Sequence, residues 1–73
     1  MPKSPKIREI VKVRHIDLYT YILHVEVTAI CEFNEFIGRI DNIFAEGAGE
    51  ISGGEILKLK GQQKTFKNSD VIP

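Results

Sequence analysis

The sequence lacks the residues from which small domains build covalent or metal cross-links. Its 73 residues contain a single cysteine, Cys31, so no disulfide can form within one copy of the chain. The other soft metal ligands are His15 and His24, whose spacing matches no common zinc motif. We therefore expect no metal and no cofactor, and a buried, structural thiol at Cys31.

Long apolar runs are missing as well. No segment approaches the ~20 apolar residues of a membrane-spanning helix, and no apolar run of export-signal length follows residues 1–6. We therefore expect a soluble, cytoplasmic protein without membrane contact. A chain of this length forms one domain at most and buries only about 60% of its unfolded surface, so self-association is the remaining source of support.

The chain has no excess of either charge, since it contains ten basic and ten acidic residues. The basic and acidic residues are nevertheless concentrated in different segments of the chain. Residues 1–25 and 56–73 are mainly basic, whereas residues 26–55 contain seven acids and only Arg39 as a base. A neutral total argues against strong, sequence-independent attraction to nucleic acid. The sorting still allows a basic surface for one partner and an acidic surface for another, and solvated charges without a partner are the alternative.

Residues 27–43 form the stretch around which the rest of the chain is arranged. Apolar alternation predicts a long strand over residues 18–33, and such a strand must bend in a small domain, so we expect a bulge near Leu23-His24. A turn at Asn34-Glu35 then leads into an antiparallel return strand. The apolar face of this hairpin is predicted to comprise Val27, Ala29, Cys31, Phe33, Phe36, Ile40 and Ile43.

The return strand is predicted over residues 36–45, where Gly38 indicates a bend or a close approach of two backbones. Before the hairpin, residues 7–16 fit either a short helix or an extra strand, and their β-branched side chains favour the strand. Two prolines and two lysines in residues 1–6 predict a flexible basic arm. We expect residues 7–73 to form a single domain.

Several short elements follow the hairpin. Four glycines in residues 46–54 predict a loop or the tip of a frayed hairpin, and alternation predicts a half-buried strand over residues 55–60. A short strand is expected at residues 63–67 and a closing segment at residues 71–72. Short strands separated by turns favour a mainly β fold, a small, strongly bent, five-stranded barrel of the SH3-like or Sm-like kind.

Two segments of the chain resemble the two sequence motifs of the Sm-like family, which includes bacterial host-factor-type RNA chaperones. Residues 36–43 match the first motif, in which one apolar residue stands two positions before a glycine and others stand two and five positions after it. Residues 66–72 match the second motif, an apolar residue, a basic residue, Gly or Asn, two free positions and an apolar pair. The resemblance covers roughly residues 25–73.

The resemblance implies a ring-forming protein that binds single-stranded RNA with low specificity. Sm-like subunits form rings by strand pairing, which here would join residues 63–67 of one copy to residues 71–72 of the next. The second motif implies an RNA-facing role for its basic residue and its Asn, and an aromatic residue and the basic N-terminus add further candidates. The expected RNA-binding residues are Lys67, Asn68, Phe44, Lys3, Lys6 and Arg8.

The alternative function is a non-enzymatic, oligomeric protein-interaction or assembly module with an SH3-like barrel. Family members that bind uridine-rich RNA carry an Asp, an aromatic residue or His, and an Asn, where this chain has Phe44, Glu46 and Ala48. We do not expect an enzyme, because Ser52 lies outside a GxSxG nucleophile turn and residues 46–54 lack the lysine of a phosphate-binding loop.

Overall fold

The computed structural model describes residues 5–16 and 19–72, so most of the predicted arm, including Lys3, lies outside the described residues. The elements are β1 (Ile10–Ile16), β2 (Thr20–Ile30), β3 (Glu35–Ala45), β4 (Gly49–Glu50), the 3₁₀ helix η1 (Glu55–Leu59), β5 (Gln63–Lys67) and the 3₁₀ helix η2 (Asn68–Asp70). The prediction of a mainly β chain with five strands is confirmed.

The five strands form one antiparallel sheet in which β3 pairs with β2, β4 and β5, and β1 pairs with β2. The sheet curves until β1 approaches residues 71–72, which follow η2. Within the described residues, the contact there consists of a bridge between Val13 and Val71 and a hydrogen bond from the Ile72 N–H to the Lys12 carbonyl at 2.8 Å. The sheet is therefore not closed into a barrel, although its two edges meet at one point.

β1 occupies the segment that fitted either a helix or a strand, and the strand prediction is confirmed for Ile10–Ile16. Val11 and Val13 are buried while Lys12 and Arg14 between and after them are exposed. This alternation is what a strand with one face on the core requires. A helix over the same residues would separate the two buried valines onto different sides.

The β2–β3 hairpin lies at the centre of the sheet, as predicted, and its register shifts twice. One shift lies between His24 and Val25, next to the predicted bulge, and it makes Asp41 an extra residue in β3. The other makes Thr28 an extra residue in β2, where its hydroxyl donates to the Ile37 carbonyl at 3.1 Å. Such bulges bend a strand locally, which allows two strands of 11 residues each to fit a small sheet.

The bulge at Asp41 explains the spacing of the first motif. Phe36, Gly38 and Ile40 face the core at alternate positions of β3. The next buried residue is Ile43, three positions further on, because the extra residue reverses the alternation. Apolar residues two and five positions after the glycine are thus the pattern expected of a strand that has one buried face and contains a bulge.

The predicted apolar face of the hairpin is correct in part. Ala29 and Cys31 are only half-buried, and Phe33 is 88% exposed, so its assignment to the core is wrong. β2 ends at Ile30, and the turn is centred on Phe33 and Asn34, which have positive φ values of 60° and 61°. The fully buried core contains Val11, Val13, Leu23, Val25, Val27, Phe36, Ile40 and Ile43.

The predicted strand over residues 55–60 is wrong, because Glu55–Leu59 forms the 3₁₀ helix η1. Ile56 and Leu59 are three positions apart, so in a 3₁₀ helix they share one face, and both pack against the core. No helix in the described part of the chain has the length and apolar character needed to cross a membrane.

Arg39, the single base among the acids of residues 26–55, forms ion pairs with two carboxylates through two of its guanidinium nitrogens. Its Nη2 lies 2.8 Å from Glu26 Oε1, and its Nε lies 3.1 Å from Asp41 Oδ1. Because the pair is exposed to water, we expect Arg39→Ala to lower the free energy of unfolding by no more than about 1 kcal/mol. Urea denaturation measures the free energy of unfolding. A decrease well above about 1 kcal/mol would show that Arg39 contributes more than a solvent-exposed ion pair does.

Candidate nucleic-acid interface

The predicted RNA-binding residues that the structure describes lie in three separate places. Lys67 ends β5, where it pairs with Glu35 at the start of β3, and Asn68 follows it. Phe44 lies nine positions from Glu35, near the other end of β3, which is up to about 30 Å away along an extended strand. The strand pairing therefore brings Lys67 and Asn68 together and keeps Phe44 apart from them.

Lys6 and Arg8 form the third place, beside β2. The Arg8 N–H donates to the Val27 carbonyl at 2.7 Å, and the Glu9 N–H donates to the Lys6 carbonyl at 3.0 Å. Both basic side chains are exposed. Both residues precede β1, and the backbone of Arg8 is bonded to β2 and not to β5.

Asn68 and Phe44 each have a local contact that limits what they can offer to a ligand. The Asn68 N–H donates to the Asn34 carbonyl at 2.8 Å, whereas its buried Oδ1 has no hydrogen-bond partner among the described residues. The Phe44 ring lies 4.4 Å from the His24 ring, centroid to centroid, so one of its faces is covered. Phe44 is half-buried and is therefore a restricted stacking surface.

A cleft that the sequence did not predict lies where the curved sheet remains open. We refer to it as the seam cleft and define it by His15 of β1, Tyr19 just before β2, Tyr21 in β2, and Lys64 of β5. Ile56 and Leu59 of η1 form its apolar floor. The cavity has a volume of about 550 Å³.

Aromatic rings make up most of one wall of the seam cleft. The Tyr19 and Tyr21 rings meet nearly at right angles, at 82°, with their centroids 6.5 Å apart. The His15 ring lies 6.4 Å from Tyr21 on the neighbouring strand. Tyr19 is 69% exposed, so a ring face is accessible to a flat ligand.

Basic side chains continue the seam cleft along β5. An adjoining cavity of about 320 Å³ shares His15 and Lys64 with it. This cavity is also lined by Arg14 and by Lys67, which is one of the predicted residues. Glu35 and Asp70 also line this cavity, and Glu55 lines the seam cleft itself, so Arg14, Lys64 and Lys67 are accompanied by three carboxylates. The seam cleft thus joins accessible aromatic rings to an edge that carries both cations and carboxylates.

Sequence reasoning missed the seam cleft because η1 and β5, which complete it, are far along the chain from β1 and β2. One signal was present: Tyr19 and Tyr21 are two positions apart and therefore lie on the same side of an extended chain. The approach of β1 to β5, which adds His15 and Lys64, depends on the curvature of the whole sheet. No local pattern encodes that curvature.

Comparison with known proteins adds no relationship to these observations. No family model matches the chain. Searches of curated proteins and of solved structures found no significant match either. Across residues 5–16 and 19–72, no group of three or more His, Cys, Asp or Glu side chains is arranged to hold a metal ion.

Proposed function

We propose that the chain is a ring-forming protein with an Sm-like, partly closed barrel, and that it binds single-stranded RNA with low sequence specificity through the seam cleft. The observation that carries this proposal is that the cleft lined by Tyr19, Tyr21 and Lys64 adjoins, through His15 and Lys64, a cavity lined by Arg14 and Lys67. Aromatic platforms beside a basic groove are the common means of holding a single strand.

Low specificity follows from the chemistry of the seam cleft. Ring stacking accepts any base, because every base has a π-face, and lysine contacts to phosphate carry no sequence information. Only a few cations line the cleft, and the chain as a whole is neutral. We therefore expect affinity that falls as salt rises, with a shallow slope set by few phosphate contacts.

The ring is supported by the free edge of β5. In the described part of the chain, Gln63–Lys67 pairs with β3 on one side and with no strand on the other. The Ile72 N–H already bonds the Lys12 carbonyl within the same copy, so contact between copies rests chiefly on β5. Pairing of an open edge with a neighbouring copy would satisfy its backbone groups and bury more apolar surface.

The native mass at low and moderate salt tests the ring. A discrete assembly of about five to seven copies, measured by native mass spectrometry, is expected from head-to-tail strand pairing. A monomer under all conditions would exclude the ring. A defined oligomer without RNA affinity would instead favour the assembly-module alternative.

Titration with a fluorescent single-stranded RNA over a range of salt tests the seam cleft. We expect the double variant Lys64→Gln/Lys67→Gln to weaken binding and to reduce the slope of log affinity against log salt by about 1.4, which is roughly 0.7 for each phosphate that is no longer neutralised. Lys60→Gln is the matched control, because this exposed lysine follows η1 and does not line the cleft. An unchanged slope in the double variant would show that the cleft is not the binding site.

A further inference from the structure

Phe33 is the most exposed large apolar side chain in the described part of the chain, at 88%. It stands at the end of the β2–β3 hairpin with a φ of 60°, a left-handed conformation that bulky residues rarely adopt. Glycine or asparagine would suit this position better in an isolated copy. The exposed ring therefore gives the monomer neither packing nor a favourable turn.

The turn holds Phe33 on a fixed backbone. The Cys31 N–H donates to the Glu35 carbonyl at 3.0 Å across the turn. The Asn34 carbonyl accepts a 2.8 Å hydrogen bond from the Asn68 N–H, which ties the turn to the start of η2. A rigidly presented aromatic ring is the kind of anchor that dominates binding energy at protein interfaces.

The charges around Phe33 identify the kind of surface it fits. Glu32 is exposed and Glu35 is half-buried, and residues 31–36 contain no base. Two acids beside the ring disfavour a nucleic acid or an anionic membrane. The complementary surface is an apolar recess with cations along its rim.

The same chain carries such a recess, which we call the N-terminal groove. It lies between residues 5–12 and residues 71–72, has a volume of about 340 Å³ and is lined mainly by apolar side chains, including the exposed Ile10. Lys12 lines it, and the exposed Lys6 and Arg8 lie on the same segment. Glu9 is the one acid there, and its Oε1 accepts a hydrogen bond from the Lys6 N–H at 3.3 Å.

We propose that Phe33 of one copy inserts into the N-terminal groove of a second copy, with Glu32 facing the cations of that groove. The inference rests on the self-association proposed above and on no part of the RNA binding. Because the two surfaces differ, the contact is heterologous and closes either as a reciprocal pair or as a ring. This contact would add to the pairing of strand edges between copies and would fix the orientation in which two copies associate.

Phe33→Gly tests the anchor without endangering the fold, since glycine adopts positive φ freely. We expect an unchanged far-ultraviolet spectrum and an unchanged or higher melting temperature, together with an association constant reduced by roughly 30-fold or more, as for an interface hot spot. Ile16→Ser is the matched control, because Ile16 is 71% exposed but lies at the far end of β1 from the groove. Oligomers that survive Phe33→Gly unchanged would overturn the inference and leave the strand-edge ring standing.

Reciprocal charge changes identify the second copy as the partner. Glu32→Lys alone and Lys12→Glu alone should each weaken self-association, because each variant places like charges across the contact. An equimolar mixture of the two variants should restore association as pairs or as rings with an even number of copies, since the two variants can then alternate and each turn meets a groove of opposite charge. Recovery in the mixture, seen by native mass spectrometry, supports the inference, and failure to recover overturns it. A wild-type chain that stays monomeric overturns both this contact and the ring, whatever the RNA titration shows.

Discussion

Gly38→Ala is expected to lower the free energy of unfolding by about 3 kcal/mol, because β2 and β3 meet at this glycine without room for a side chain. A Cβ added there would lie 2.1 Å from Val25 Cγ1 and 3.1 Å from the Glu26 carbonyl oxygen. Val25 is fully buried and cannot move aside, and the carbonyl belongs to the neighbouring strand. The decrease is a large share of the roughly 4–11 kcal/mol that a chain of this size has in total.

Urea denaturation of Gly38→Ala and Gly53→Ala measures this effect against a matched control. A Cβ at Gly53 meets nothing within 4 Å, so that variant should stay within about 0.5 kcal/mol of the parent. The double variant Gly38→Ala/Val25→Ala should lose less stability than the two single variants added together, because it removes one of the two clashes. Equal stability of Gly38→Ala and Gly53→Ala would contradict the close strand approach.

The hairpin at the centre of the fold could be predicted because its signals are local. Alternating apolar residues identify both strands, and Gly38 marks the close approach. The excess length of β2 predicted a bulge near Leu23-His24, and a register shift lies between His24 and Val25, although its extra residue is Asp41 of β3. Each of these features depends on residues that are neighbours along the chain or across one turn.

The turn of the β2–β3 hairpin could not be predicted, because Phe33 is a large apolar residue in an exposed position with positive φ. An apolar ring two positions after Cys31 continues the alternation of β2 and was therefore expected in the core. The chain instead turns one residue earlier than the Asn34-Glu35 pair indicates, with Phe33 at positive φ. Places where local sequence preference fails in this way are often functional, which is why the inference about self-association begins there.

The segment of η1 shows the limit of short patterns. A stretch of six residues with apolar side chains at 56, 57 and 59 fits a strand by alternation and a 3₁₀ helix by its three-residue repeat. The choice between a strand and a 3₁₀ helix depends on the tertiary structure, since the apolar residues of η1 pack against the core without belonging to the sheet. The floor of the seam cleft was hidden from sequence reasoning for the same reason.

Among the described residues that were predicted to bind RNA, Lys67 is the one that lines a cavity adjoining the seam cleft. The family resemblance selected that lysine, whereas it does not include the tyrosine rings of the seam cleft. Phe44, which was selected as a possible stacking residue, packs on His24 at the other end of β3. Phe44 and Lys67, which the resemblance both selected, are thus separated by most of the length of β3, whereas residues of β1 and β5 line one cavity although they are far apart in the sequence.

Tyr19→Ala is expected to weaken binding of single-stranded RNA by about tenfold or more, because removing one stacking platform costs roughly 1–3 kcal/mol. Tyr19 is 69% exposed, so its removal should leave the free energy of unfolding almost unchanged. Tyr21 is half-buried and packs against the core, so the same change there would mix binding with folding. Fluorescence anisotropy with a labelled RNA measures the affinity, and thermal unfolding checks the fold.

Tyr19→Phe and Ile16→Ser separate stacking from other roles of the Tyr19 side chain. Phenylalanine keeps the ring, so Tyr19→Phe should bind RNA nearly as well as the parent if stacking is the main contribution. Ile16→Ser removes a comparably exposed apolar side chain that does not line the seam cleft, and should leave RNA affinity unchanged. If Tyr19→Phe loses as much affinity as Tyr19→Ala, the hydroxyl and not the ring makes the contact, and RNA would then be held by hydrogen bonding at the edge of the cleft. A third outcome is that neither Tyr19 variant changes RNA affinity, whereas the double variant Lys64→Gln/Lys67→Gln still reduces the salt slope. The RNA would then follow β5 without contacting the tyrosine rings, and the proposal that bases stack on Tyr19 would be wrong.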